Sequence, residues 1–123
     1  MTRRVLIIED DDDARETLAE LLRLDAHQVS VATSGEEGVG LASSLAPEFV
    51  LIDIGLPDID GYEVARRLRS NPATSRLRLI AITGYGMQED RRSALAAGFD
   101  EHLAKPVELE SLKALLSELP VAA

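Results

Sequence analysis

The chain has no cysteine and no tryptophan, and its only aromatic residues are two Phe and two Tyr. Without thiols, disulfides and thiolate metal sites are excluded. Because 46% of the residues are apolar and only 3% aromatic, the core must be aliphatic. No apolar run approaches the roughly 18 residues a membrane helix needs, so no span is expected. Met1 to Arg4 lead straight into a strand-like segment and lack a signal-peptide pattern, so a cytoplasmic protein is the simplest expectation. Basic residues are also in deficit. Thirteen Lys and Arg stand against 22 Asp and Glu, a formal net charge of −9. A phosphate backbone would be repelled, which argues against non-specific nucleic-acid binding. The same charge suits a basic partner, a bound divalent cation, or solubility alone.

A length of 123 residues fits one domain that can bury a core without staples. Five apolar runs recur along it, each followed by a helical pattern. Val5-Leu6-Ile7-Ile8 is continuous and β-branched, as a buried parallel strand should be. The helix after it places Ala14, Leu18, Leu21 and Leu22 on one face, and Asp13 with Glu16 reads as its capping box. Gln28 to Ala32 alternates more, like an outer strand. Ser34 and Glu37 then cap a helix to about Ser44, which Gly38 and Gly40 should each weaken by about 1 kcal/mol relative to Ala. Phe49 to Ile52 is the third strand. Asp60 and Glu63 cap the helix whose buried face is Tyr62, Val64, Ala65 and Leu68, and Asn71-Pro72 breaks it. Leu79 to Ile82 is the fourth strand, followed by a helix from about Gln88 to Gly98. A short strand near His102 to Ala104 precedes a last helix with Leu109, Leu112, Leu116 and Leu119 on one face.

Fivefold strand–helix alternation predicts an α/β fold, a doubly wound parallel sheet with five helices on its two faces. Ligands in such folds bind beyond the carboxyl ends of the strands, where strand order reverses. Glu9 and Asp10 follow the first strand, Asp53 the third, Thr83 the fourth, and Lys105 with Pro106 the fifth. In the order 2-1-3-4-5, Glu9, Asp10 and Asp53 converge. Two unit charges about 4 Å apart repel by roughly 4 kcal/mol at an effective dielectric of 20. Such a cluster takes up protons or holds a cation. All-oxygen ligands suit Mg²⁺, which accepts one or two carboxylates plus a substrate phosphate. Lys105 adds a fixed positive charge and Thr83 a hydroxyl donor. The set suits phosphoryl transfer to a carboxylate nucleophile. Singly, each residue has a plainer explanation: acids at a helix N-terminus for Asp11 to Asp13, a loop cap for Asp53, a surface lysine for Lys105.

At this point the sequence resembles the receiver domains of two-component response regulators and hybrid histidine kinases, over essentially residues 1–123. The pieces that carry the resemblance are Val5 to Asp11, Leu51 to Gly61, Ile80 to Gly84 and Ala97 to Pro106, in that order. It implies the flavodoxin-like form of the doubly wound fold and a role for each site residue. Asp53 would be the phosphorylated aspartate. Asp10 would ligate Mg²⁺ directly, Glu9 mostly through water, and Gly55 by its backbone carbonyl. Thr83 would bond a phosphoryl oxygen and swing inward on activation, and Lys105 would pair with the phosphate. The donor would be a histidine kinase or histidine phosphotransfer domain, and the switching face would be the fourth helix, fifth strand and fifth helix. Pro106 often follows the lysine through a cis bond in this family.

Two departures stand out. Gly84 replaces the Ala common after the threonine. His102 replaces the Tyr or Phe that turns inward in the family; a histidine there makes the switch pH-sensitive if it swings at all. Tyr85 lies where the family tunes phosphoryl lifetime, as a candidate shield against water. No role is expected for His27. No output domain fits in the remaining chain, so either a stand-alone receiver or a piece of a larger regulator is consistent. Three other functions fit the residues less well. A dehalogenase-type phosphohydrolase needs an acid two residues after the nucleophile, where Gly55 stands. A flavodoxin-like cofactor carrier needs a Ser, Thr and Gly-rich first loop, where Glu9 to Asp13 stand. A receiver-like module that binds partners without phosphorylation would not need the full acceptor set.

Overall fold

The computed structural model describes residues 2–84 and 90–118. Among these it forms β1 (Arg4–Ile8), α1 (Asp12–Leu24), β2 (Gln28–Ala32), α2 (Gly35–Leu45), β3 (Phe49–Asp53), α3 (Gly61–Ser70), β4 (Arg78–Thr83), α4 (Asp90–Ala97), β5 (Glu101–Ala104) and α5 (Leu109–Glu118). The strands make one parallel sheet in the order β2-β1-β3-β4-β5, as expected from the sequence. The order reverses at β1, so the switch point lies between β1 and β3.

Strand alternation divides the core into two layers. Leu6, Ile8, Val50, Ile52, Leu79 and Ala81 face α2, α3 and α4, where Ala42, Val64, Ala65, Leu68, Ala94 and Ala97 meet them. Val5, Ile7, Phe49, Leu51, Ile80 and Ile82 face the other way, against Leu18, Ala19 and Leu22 of α1 and Leu112 and Leu116 of α5. The continuous apolar runs are explained by burial on both sides. β3, the middle strand, is buried at every position, whereas β2 pairs only with β1 and is partly exposed.

Helix starts follow local hydrogen bonds. Ser34 Oγ accepts from Glu37 N at 3.1 Å, and Asp60 Oδ1 accepts from Glu63 N at 2.9 Å, both as read from the sequence. The first helix departs from the expectation. Its cap is Asp11, whose carboxylate accepts from Ala14 N at 2.8 Å, so Asp12 and Asp13 lie in the first turn. Four successive acids are all competent caps. The choice falls to Asp11 because its own N–H already points to Glu9 Oε2 at 3.3 Å, which starts the helix close to the strand end. Gly98 ends α4 with φ of +112°, a value that L side chains rarely adopt. Gln88 and Leu119 lie outside the described residues.

The paired helix glycines differ. A Cβ on Gly40 would meet nothing within 4 Å, but one on Gly38 would overlap Ile8, with Cγ1 at 2.6 Å and Cγ2 at 2.9 Å. Gly38 is therefore a close-packing position that seats α2 on the end of β1. His27 is buried, and its Nδ1 accepts from Arg3 N at 2.9 Å, a structural role at the rim opposite the carboxyl ends of the strands.

Candidate functional site

The sheet register brings the predicted residues to one rim. Ile8 aligns with Ile52, so Glu9 and Asp53 emerge side by side. Thr83 aligns with Ala104, and Lys105 N donates to Thr83 O at 2.8 Å, which delivers Lys105 to the same edge. Glu9, Asp10 and Asp53 each offer a carboxylate oxygen within 4.8 Å of the others. Glu9 and Asp53 are buried, at 4% and 9% exposure, while Asp10 is open to solvent. The site is open to water at Asp10, and the two inner carboxylates must be compensated by neighbours.

Lys105 supplies part of that compensation. Its Nζ lies 2.8 Å from Glu9 Oε1 and 3.6 Å from Asp53 Oδ1. Loss of hydration pulls the ammonium down, but the Glu9 hydrogen bond and the Asp53 charge outweigh it, so Lys105 titrates above its ordinary value. Three carboxylates against one ammonium leave two formal negative charges. An all-oxygen set of that charge, open on one side, fits a hard divalent ion that keeps part of its water shell. Gly55 N donates to Asp53 Oδ1 at 3.3 Å, so the loop after β3 touches the acceptor candidate directly.

Thr83 is buried, and its Oγ1 donates to Leu103 O at 3.4 Å. That is a long bond to the neighbouring strand, cheap to break. His102 is half-buried and its Nδ1 lies 3.7 Å from Glu101 Oε1. The Lys105–Pro106 peptide is cis. Beside the carboxylates a cavity of about 540 Å³ opens between α1 and the segment after β5, lined mainly by Ile7, Leu18, Leu21, Leu51, Ile82 and Val107. Tyr85 lies outside the described residues.

The response regulator receiver domain family model matches residues 5–117. The chain belongs to that family. As a receiver it is 34% identical over 118 residues to an uncharacterized 14.6 kDa protein of Leptolyngbya boryana, covering 96% of this chain and 90% of that one. It is 38% identical over 104 residues to the transcriptional regulatory protein AfsQ1 of Streptomyces coelicolor, covering 85% and 45%. With the response regulator MprA of Mycolicibacterium vanbaalenii the identity is 35%, covering 97% and 51%. The receiver thus spans nearly all of the first protein and about half the length of the two regulators. Among solved structures, the receiver domain of the Pseudomonas aeruginosa sensor histidine kinase PA1611 superposes with a TM-score of 0.86 at 29% identity, covering 95% of this chain and 96% of that one. That structure is described with a magnesium ion in its active-site cleft. A CheY-like receiver domain protein from Methanospirillum hungatei superposes with a TM-score of 0.86 at 27% identity, covering 96% and 93%.

Sequence reasoning missed three supporting residues. Arg15 Nη1 donates to the carbonyls of Glu9, at 3.0 Å, and Asp10, at 3.4 Å, which holds the acidic corner from α1. Asp58 accepts two backbone amides from α2. Asp100 accepts from Leu79 N and Arg69, fastening the start of β5 to β4. The one available signal was the i, i+3 spacing of Arg15 from Asp12. The other two contacts span 21 to 31 residues and have no local signature.

Proposed function

We propose that this receiver accepts a phosphoryl group on Asp53 in a Mg²⁺-dependent reaction and relays a signal by changing the face formed by α4, β5 and α5. The observation that carries this is the cluster itself: carboxylate oxygens of Glu9, Asp10 and Asp53 within 4.8 Å of one another, with Lys105 Nζ 2.8 Å from Glu9 and 3.6 Å from Asp53. The donor is a histidine kinase or a histidine phosphotransfer domain. An Asp53 carboxylate oxygen attacks phosphorus, the P–N bond breaks, and the electron pair stays on the donor imidazole. The product is an acyl phosphate that later loses its phosphoryl group to water.

Asp10, Asp53 and the Gly55 carbonyl would ligate Mg²⁺, with Glu9 acting mostly through a water. Bound Mg²⁺ supplies charge neutralisation on the equatorial phosphoryl oxygens. Lys105 exchanges its Glu9 and Asp53 contacts for the phosphoryl group. Thr83 leaves Leu103 O to donate to a phosphoryl oxygen, and the space it vacates is the route by which His102 turns inward. The receiver works as one unit in the cytoplasm and catalyses its own modification, with no separate substrate turned over.

The test is incubation with acetyl phosphate, with and without Mg²⁺, read by intact mass. Wild type should gain one phosphoryl group only with Mg²⁺, and Asp53→Ala should gain none. Equal labelling of both proteins would refute the acceptor assignment.

A further inference from the structure

The loop between β3 and α3 carries the exposed Gly55 and is fastened at its base by backbone hydrogen bonds and by the buried side chains of Ile54 and Leu56. Ile54 N donates to Ile82 O at 3.0 Å, and Gly61 N donates to Ile54 O at 2.9 Å. A Cβ on Gly61 would lie 2.7 Å from Asp53 O, so α3 begins in contact with the acceptor's own backbone. These anchors do not reach the exposed Pro57 and Asp58, where the backbone keeps its own soft dihedrals.

The tip is held from elsewhere. Asp58 Oδ1 accepts from Gly35 N and Oδ2 from Glu36 N, each at 2.9 Å. These are the first two amides of α2, which the helix itself leaves unpaired. Ser34 already caps the third, so α2 has a local cap and Asp58 adds a long-range one. Loop and helix also touch directly: a Cβ on Gly35 would stand 2.5 Å from Ile59 Cγ1 and 3.0 Å from Ile59 O. Loss of hydration pushes the Asp58 carboxyl up, but the amides of Glu36 and Gly35 hold it below the ordinary carboxylate range. It is thus ionised at neutral pH and sits at the positive end of a helix.

We propose that Asp58 is a positioning residue of the acceptor site, pinning the loop tip to α2 and so fixing where Gly55 presents its carbonyl to Mg²⁺ and its N–H to Asp53. The metal part rests on the reading of Asp10, Asp53 and Gly55 as Mg²⁺ ligands. The mechanical path is short. Gly55 lies three residues before the pin, flanked by the buried Ile54 and Leu56, and its N–H meets Asp53 Oδ1 at 3.3 Å. Replacing residues that orient a metal ligand typically weakens metal affinity about 10- to 100-fold. Asp58 acts three positions along the chain, so a smaller loss of about three- to tenfold is expected.

Three variants separate positioning from helix capping. Asp58→Ala removes both acceptors, Asp58→Asn keeps a neutral carbonyl acceptor, and Ser34→Ala loosens the same helix terminus without touching the loop. Far-UV circular dichroism establishes that each is folded. Titration with Mg²⁺ alone, by calorimetry, should show Kd raised about three- to tenfold in Asp58→Ala, within about twofold of wild type in Asp58→Asn, and unchanged in Ser34→Ala. Amide hydrogen exchange at Gly55 in the metal-free protein reads the same pin independently and should be faster in Asp58→Ala than in Ser34→Ala. Equal Gly55 exchange in those two variants overturns the proposal, as does an Asp58→Ala Kd equal to that of wild type. If wild type gives no Mg²⁺ heat while Gly55 exchange still responds to Asp58→Ala, the metal reading falls and the pin stands.

Discussion

The two glycines inside α2 should respond to alanine in opposite directions. On helix propensity alone each Gly→Ala change stabilises by about 1 kcal/mol, because alanine loses less backbone freedom on folding. At Gly40 nothing lies within 4 Å of the new Cβ, so Gly40→Ala should gain most of that amount. At Gly38 the Cβ would overlap Ile8, with Cγ1 at 2.6 Å and Cγ2 at 2.9 Å. Ile8 is fully buried, β-branched and stiff at χ1, so it has no free rotamer to retreat into. Overpacking of this kind costs about 1–3 kcal/mol, which cancels or exceeds the propensity gain. The net expectation for Gly38→Ala is a loss of up to about 2 kcal/mol. Urea unfolding followed by far-UV circular dichroism measures both variants, and the two should differ by about 1–3 kcal/mol at unchanged m. Ile8→Val removes Cδ1, so in the Gly38→Ala background it should cost less than in wild type. A Gly38→Ala protein as stabilised as Gly40→Ala would refute the close-packing argument.

Two further changes probe the supports of the site. Asp100 Oδ2 accepts from Leu79 N and from Arg69 Nη2, both at 2.9 Å, so Asp100→Ala leaves a buried backbone donor unpaired. It should cost about 2 kcal/mol in urea unfolding, and a change below about 0.5 kcal/mol would contradict the assignment. Lys105 has its pKa raised above 10.5 in the folded state, so its contribution is intact below that value and fades as pH rises through the raised one. The metal-free stability difference between wild type and Lys105→Met should therefore be constant from neutral pH to about 10 and shrink beyond it; a difference that does not change with pH would count against the Glu9–Lys105 contact.

Strand identity and order were legible because each central run is apolar on both faces, and a parallel strand buried on both faces needs that composition. The site was legible for a related reason. Glu9, Asp53 and Thr83 each stand directly after such a run and Lys105 after the short edge strand, and topology alone brings those positions together. The misplaced α1 cap shows where local reading fails. Among Asp10 to Asp13 several registers are chemically equivalent, and a contact to Glu9 decides between them. Gly38 shows a different limit, since a glycine that weakens a helix and one that admits a neighbour look the same in a string of letters. Asp58, Arg69 and Asp100 were invisible because their partners are distant in the chain. His102 pairs with Ala81 across β4 and β5 and is half-buried, while Tyr85 falls outside the described residues.

Asp53 is the proposed carrier of the phosphoryl group, and its chemistry can be read directly. Borohydride reduction after reaction with acetyl phosphate and Mg²⁺ converts an aspartyl phosphate to homoserine, which peptide mass mapping locates in the chain. Homoserine at position 53, absent when Mg²⁺ is withheld, is the predicted result. Homoserine at another acid, or at position 53 irrespective of Mg²⁺, would contradict it.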